Sequence, residues 1–332
     1  MKKGLIICSV LVVVQLVLII LVYQRGREEG PALPTGPLLT VDLEGIELLE
    51  LEDRDGRSLV FNKEQGLWRL PASADLPADG LRIQQLLERI GSVQRGWPEA
   101  TTVEAAVRFR VAADHFERKL TLHGEDGTRQ VWYFGVSPGI RRMYVRVDGD
   151  PEIYSLQLLG YELEALADAW IEPSLLHLEA EQVKRVELPG LTLERRNETL
   201  QPIDLDQGEE VRKDRLDSLI HHLTRLSVIG VVDLESRAGL ALDDSFFSYR
   251  LVLQDGSAQD YVWYRPVTAE PEEEALLAET SPVLRISGSE QLFRVAAWQV
   301  EDIAGISRND LVQPQGEGNA LPAMEVLDPS GL

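Results

Sequence analysis

Cysteine is nearly missing from this chain of 332 residues: the single one, Cys8, lies inside an apolar N-terminal stretch. The remainder can form no internal disulfide, which excludes a small stapled scaffold, a thiolate-ligated metal centre and a cysteine nucleophile. Positive charge is also scarce, with 33 Lys+Arg against 55 Asp+Glu and a formal net charge of -22. Nucleic-acid binding relies on Lys and Arg displacing condensed counterions, and no basic block offsets the deficit, so that class is excluded too. Histidine numbers five and aromatic residues make up 6%. No glycine-rich phosphate loop, Walker lysine, Gly-x-Gly-x-x-Gly after a strand, His-Glu-x-x-His or Gly-x-Ser-x-Gly elbow occurs, so nucleotide-binding and hydrolase signatures have no foothold.

Apolar material, by contrast, is ample. At 44% hydrophobic and 27% charged, the chain can bury a sizeable core over about two ordinary domains. Leu5 to Tyr23 is an uncharged run of 19 residues, 15 of them Leu, Ile or Val. At about 1.5 Å rise per residue such a run spans the ~30 Å hydrocarbon core, which predicts an N-terminal transmembrane anchor over residues 1–25. It is longer than a signal-peptide core and ends in Val22-Tyr23-Gln24-Arg25 with no small-residue cleavage site, so it is expected to be retained. Lys2 and Lys3 precede it, and Arg25 and Arg27 are followed by Glu28 and Glu29. This slight asymmetry predicts a cytoplasmic N-terminus and an exported bulk.

Residues 26–40, with Pro31, Pro34 and Pro37, predict a semi-rigid linker. Thereafter one plan runs twice, over 41–178 and 180–312. Leu120-Thr121-Leu122 precedes Val131-Trp132-Tyr133 by eight residues, as Leu251-Val252-Leu253 precedes Val262-Trp263-Tyr264. An Asp-Gly pair lies in each gap, Asp126-Gly127 and Asp255-Gly256, so both segments predict β-hairpins. Upstream, Ile83, Leu86, Leu87 and Ile90 share their spacing with Leu216, Leu219, Ile220 and Leu223, each set an amphipathic helix stripe. Downstream, Val145-Arg146-Val147 with Ile153-Tyr154 is echoed by Leu284-Arg285-Ile286 with Leu292-Phe293. A second helix is predicted with Leu159, Leu163, Leu166 and Trp170 on one face, and a shorter one at Trp298 to Ala304. The fold class expected is α+β: an N-terminal transmembrane helix followed by two tandem repeated units, each a mostly antiparallel sheet with helices on one face. Residues 313–332, rich in Pro and Gly, predict a loose tail.

The single apolar N-terminal run, the duplicated Leu-x-Leu and Val-Trp-Tyr strands, and the endings Trp170 to Leu176 and Ile306 to Val312 resemble the bacterial domain-of-unknown-function family numbered 4340. The resemblance covers about residues 41 to 312 and rests on pattern more than on signature residues. It implies an envelope-anchored component, often encoded beside an ABC transporter of the gliding-motility type, and it brings no reaction and no catalytic residues.

Chemistry-bearing residues are few. His221-His222 are adjacent on a helix and point about 100° apart, so they do not chelate one ion together, while Asp217 stands one turn before His221 on the same surface. Asp53-Arg54-Asp55-Gly56 fails as a calcium loop, since the first and twelfth slots would be Leu51 and Asn62, and it reads as a strand turn. Asp204-Leu205-Asp206 with Glu209-Glu210, and Glu272-Glu273-Glu274, read as solvated acidic segments. A serine triad would have to assemble from His115, His123 or His177, and nothing in the sequence places them together. No cofactor, metal ligand or catalytic residue is expected. Trp132 and Trp263, at matched positions, are expected in the sheets, whereas Trp97, before Pro98 in a loop, is the candidate for contact with a partner.

The function expected is non-enzymatic: a single-pass envelope protein acting as a binding or scaffolding module, accessory to an ABC-type membrane transport system, with the membrane and transporter subunits as partners. Two alternatives are a periplasmic receptor for a small molecule or glycan held between the units, and a hydrolase with a dispersed site.

Overall fold

The computed structural model describes residues 14–20, 36–232, 244–265 and 281–315. Strand dominates. The first unit is an eight-stranded sheet built from β1 (Ile46–Asp53), β2 (Ser58–Glu64), β3 (Leu67–Leu70), β4 (Leu76–Pro77), β5 (Arg118–Gly124), β6 (Arg129–Phe134), β7 (Met143–Val147) and β8 (Ile153–Leu156), in the order β8-β7-β6-β5-β1-β2-β3-β4. The second sheet uses β9 (Val183–Leu188), β10 (Leu191–Arg196), β11 (Thr199–Pro202), β12 (Val228–Val231), β13 (Ser245–Leu253), β14 (Ala258–Tyr264), β15 (Val283–Ile286) and β16 (Leu292–Val295), in the order β11-β10-β9-β13-β14-β15-β16-β12. Every pairing in the two sheets is antiparallel. The two orders follow one path. β9-β10-β11 stands where β1-β2-β3 does, and β13 to β16 where β5 to β8 do. The edge strand β12 answers a lone bridge between Ala100 and Ile153 in the first unit.

Each unit carries one twelve-residue helix, α1 (Gly80–Gly91) and α3 (Lys213–Thr224). Their apolar stripes are buried at Ile83, Leu86, Leu87 and Ile90, and at Leu216, Leu219 and Leu223, within one core cluster that takes residues from both sheets. The outer face of the first sheet is covered separately. The short helix α2 (Val103–Arg108) and the hairpin at 111–116 close over Val131, Tyr133 and Ile153. Gly135 makes this closure fit, because a Cβ there would lie 1.9 Å from the Phe109 carbonyl oxygen. In the second unit, α4 (Ala297–Ala304) and α5 (Arg308–Leu311) follow β16.

Several sequence expectations are corrected. The α+β class with an N-terminal transmembrane helix gives way to a predominantly β fold. Among the described residues no helix is long and apolar enough to cross a membrane. Residues 14–20 are helical, but seven residues at about 1.5 Å each reach only about 10 Å of a ~30 Å core, and the rest of the apolar run lies outside the described residues. The helix expected between Leu159 and Trp170 is instead two 3-10 turns, Gly160–Leu163 and Ala167–Trp170. Its helical spacing loses to tertiary bonds: Arg82 donates to Tyr161 O at 2.8 Å and to Ala169 O, and Asp79 N donates to Trp170 O at 2.7 Å.

The third correction concerns register. The tight turns set the alignment of the two hairpins: Asp126 Oδ1 accepts from Thr128 N at 2.9 Å, as Asp255 Oδ1 accepts from Ser257 N at 2.8 Å. With the turns superposed, the pair Leu122 and Gln130 answers Leu251 and Gln259, so the counterpart of Trp132 is Tyr261 and that of Trp263 is Phe134. Matching the two Val-Trp-Tyr motifs is therefore two residues out of register. A slip of two leaves every side chain on its own face, so apolar alternation cannot detect it.

Residues 36–40, read as linker, are built into the first unit, and 313–314, read as tail, pair as strand. Leu38 is buried, Leu38 N donates to Val93 O, and Gln130 holds the arm on both sides, donating to Leu38 O and accepting from Thr40 N, each at 3.0 Å. Residues Val312–Pro314 pair with Glu209–Val211.

Candidate functional site

The repeated path creates the same cleft twice. In each unit, a hairpin tip, one face of the long helix and the segment leading into the first strand enclose a cavity. The hairpins align through their closing pairs, Glu64 with Leu67 and Arg196 with Thr199. This places Lys63 and Trp68 opposite Arg195 and Leu200. The helices align through equivalent backbone bonds, Asp79 N to Trp170 O and Arg212 N to Leu311 O. Gly80, Gln84, Leu87 and Glu88 thus answer Lys213, Asp217, Ile220 and His221. The cavities measure about 870 Å³ in the first unit and about 560 Å³ in the second, both within the range of small-ligand sites.

The shared cation of each hairpin is a staple. Lys63 Nζ donates to Glu44 O at 3.3 Å. Arg195 Nε donates to Val183 O at 2.8 Å, and its terminal nitrogens donate to Ala180 O and Glu198 O. Each cation ties the hairpin tip to the backbone of the lead-in segment and so shapes the cleft wall.

Between the units runs a connector, residues 157–182, that belongs to both. Ala78 bridges Ile171 on the side of the first unit, and Leu176–His177 pair with Arg225–Leu226 on the side of the second. Trp170 is fully buried, meets Phe61 edge-on at 5.2 Å and lies under the Arg82 guanidinium at 4.3 Å. Asp168 forms a clasp: Oδ1 accepts from Val231 N at 3.0 Å and Oδ2 pairs with Arg294 at 3.2 Å. Gly230 permits it, since a Cβ there would lie 2.4 Å from Asp168 Oδ2. The clasp caps β12, whose unpaired edge would otherwise be a template for another strand.

The residues singled out by sequence are dispersed. His123 Nε2 sits 3.0 Å from Glu50 Oε1 on the first sheet, His115 is exposed in the hairpin at 111–116, and His177 is in the connector. His177 Nε2 is buried without a partner, and burial, reinforced by Arg225, lowers its pKa. Asp217 and His221 do not pair; instead His222 Nδ1 lies 3.9 Å from Asp302 Oδ2. Asp204 and Glu209 both pair with Arg308, whose bonds hold the Glu209 carboxyl below its usual range. Asp53 organises the β1–β2 turn, accepting from the N–H groups of Asp55 and Arg57 at 2.9 Å. Residues 272–274 lie outside the described residues. Among the described residues no cluster of three or more His, Cys, Asp or Glu is arranged to hold a metal ion. Trp132 and Trp263 are fully buried, while Trp97 is 71% exposed. Sequence reasoning missed both clefts, the Asp168 clasp and the Gln130 clamp; the periodicity shared by α1 and α3 was the one signal that pointed toward the clefts.

The profile of the family described as Domain of unknown function (DUF4340) matches residues 68–244, from β3 of the first unit to the residue before β13 in the second. No curated protein and no solved structure matches the chain.

Proposed function

Since the chain belongs to the family described as Domain of unknown function (DUF4340), whose description assigns no activity, we propose from the geometry that it is a binding and scaffolding module of the bacterial envelope, accessory to an ABC-type membrane transport system. The observation that carries this reading is the two-unit body itself. A continuous core, the connector and the Asp168 clasp fix two similar lobes against each other, which suits positioning of a partner more than local chemistry. The apolar run Leu5 to Tyr23 supports a place at the inner membrane, with the N-terminus cytoplasmic and the bulk periplasmic. Tethering beside a partner in the same bilayer raises effective concentration without a large interface. Trp97, exposed in its loop, is the proposed contact.

The test is co-purification from solubilised membranes of cells that express both the chain and the transporter. Recovery of transporter subunits, reduced several-fold by Trp97→Ala, is the expected result. Absence of any transporter subunit overturns the reading. A second reading, a receptor for a small ligand, is favoured by the cleft of the second unit.

A further inference from the structure

The twin clefts differ in how their polar groups are used. In the first unit, Gln84 Nε2 donates to Glu88 Oε1 at 2.7 Å, so the helix stripe satisfies itself, and Gly66 and Gly80 carry no side chain. At those four positions the second unit has Asp217, His221, Glu198 and Lys213. All four are exposed, and none of their side chains has a hydrogen bond or ion pair among the described residues. Lys213 and Asp217 stand one turn apart on the same helix face, and no ion pair joins them among the described residues. Beneath them the cleft is floored by Leu200, Leu216 and Ile220. An apolar floor under a few convergent, uncommitted polar groups is the general form of a small-ligand site.

We propose that the cleft of the second unit binds a short zwitterionic peptide of dipeptide size with apolar side chains. Both signs of charge stand on the rim, so a purely cationic ligand meets Lys213 and a purely anionic one meets Asp217 and Glu198. Four residues of helix separate Lys213 from Asp217 by about 6 Å along the axis. The two charged ends of an extended dipeptide lie about 7 Å apart, whereas those of a single amino acid are too close to reach both. The carboxylate is held by Lys213, the ammonium by Asp217, and the side chains rest on Leu200 and Ile220. The proposal goes beyond the scaffolding reading and stands without it: peptide binding with no transporter subunit recovered would sink only the latter.

The experiment is isothermal titration of the full-length chain with leucyl-leucine, N-acetyl-leucyl-leucine, leucyl-leucinamide and free leucine. Leucyl-leucine is expected to bind saturably, and each of the other three at least about tenfold more weakly, because each loses or misplaces one charge-assisted contact. Lys213→Gln and Asp217→Asn, both exposed, are expected to raise Kd by about the same factor while leaving circular dichroism and Tm unchanged. Absence of saturable binding by leucyl-leucine overturns the proposal. So does equal affinity for the blocked derivatives, or wild-type affinity in the Lys213 and Asp217 variants.

Discussion

Gln130 shows how one side chain can replace a strand. Its amide donates to Leu38 O and accepts from Thr40 N, so the lead-in arm is paired as if to another backbone. Gln130→Leu leaves both groups without partners near the core, and the expected loss is about 1–3 kcal/mol in urea unfolding. His177 acts through its charge. Its pKa is lowered in the fold by burial first and by Arg225 next, against the opposing carboxylates of Glu172 and Glu179. The fold therefore favours the neutral ring. The stability this contributes is present above the unfolded pKa of about 6.5 and is lost as pH falls from there through the folded value. His177→Gln is expected to flatten the stability profile below about pH 6.5, measured as Tm across a pH series. A profile unchanged from wild type would remove His177 from the acid response.

Among the elements, the connector and the cover on the first sheet each depend on one glycine, and the two differ in what stands in the way. At Gly230 a methyl group meets the carboxylate of Asp168, the end of a side chain that can swing aside at the cost of the clasp. Gly230→Ala is expected to cost about 1–3 kcal/mol. It should also speed limited proteolysis within residues 157–182. At Gly135 the obstacle is the backbone oxygen of Phe109 at 1.9 Å, which cannot rotate away. Gly135→Ala is expected to be the more destabilising of the two by urea midpoint, because α2 must lift from the sheet. Equal midpoints would show that the cover is not set by this contact. The helices illustrate what was readable beforehand. The stripes of α1 and α3 follow from periodicity alone, whereas Leu159 to Trp170 has similar spacing but gives the carbonyls of Tyr161 and Ala169 to Arg82 and that of Trp170 to Asp79 N.

At the scale of the molecule, the core cluster runs without a break from Leu38 in the first unit to Val312 in the second, by way of Trp170 and Ile171 in the connector. Two lobes sharing one core are expected to unfold together, giving a single calorimetric transition with matching van't Hoff and calorimetric enthalpies. Asp168→Ala, which opens the clasp while leaving Trp170 buried, is expected to lower that transition without dividing it. Two resolved transitions in the wild-type chain would mean that the lobes are independent.

Composition and spacing determined the acidic surface, the absence of disulfides and nucleotide motifs, the twofold recurrence of helix and hairpin, and membership of a family without an assigned reaction. These are properties of the chain itself: charge sums, residue types and periods of 2 or 3.6 survive without any knowledge of neighbours. Tertiary structure alone decided the two-residue register between the hairpins, the fate of the 159–170 segment, the burial of Leu38, and the pairing of hairpin tip with helix that makes each cleft. Each depends on which distant backbone group a given N–H or C=O reaches, and local sequence does not encode that choice.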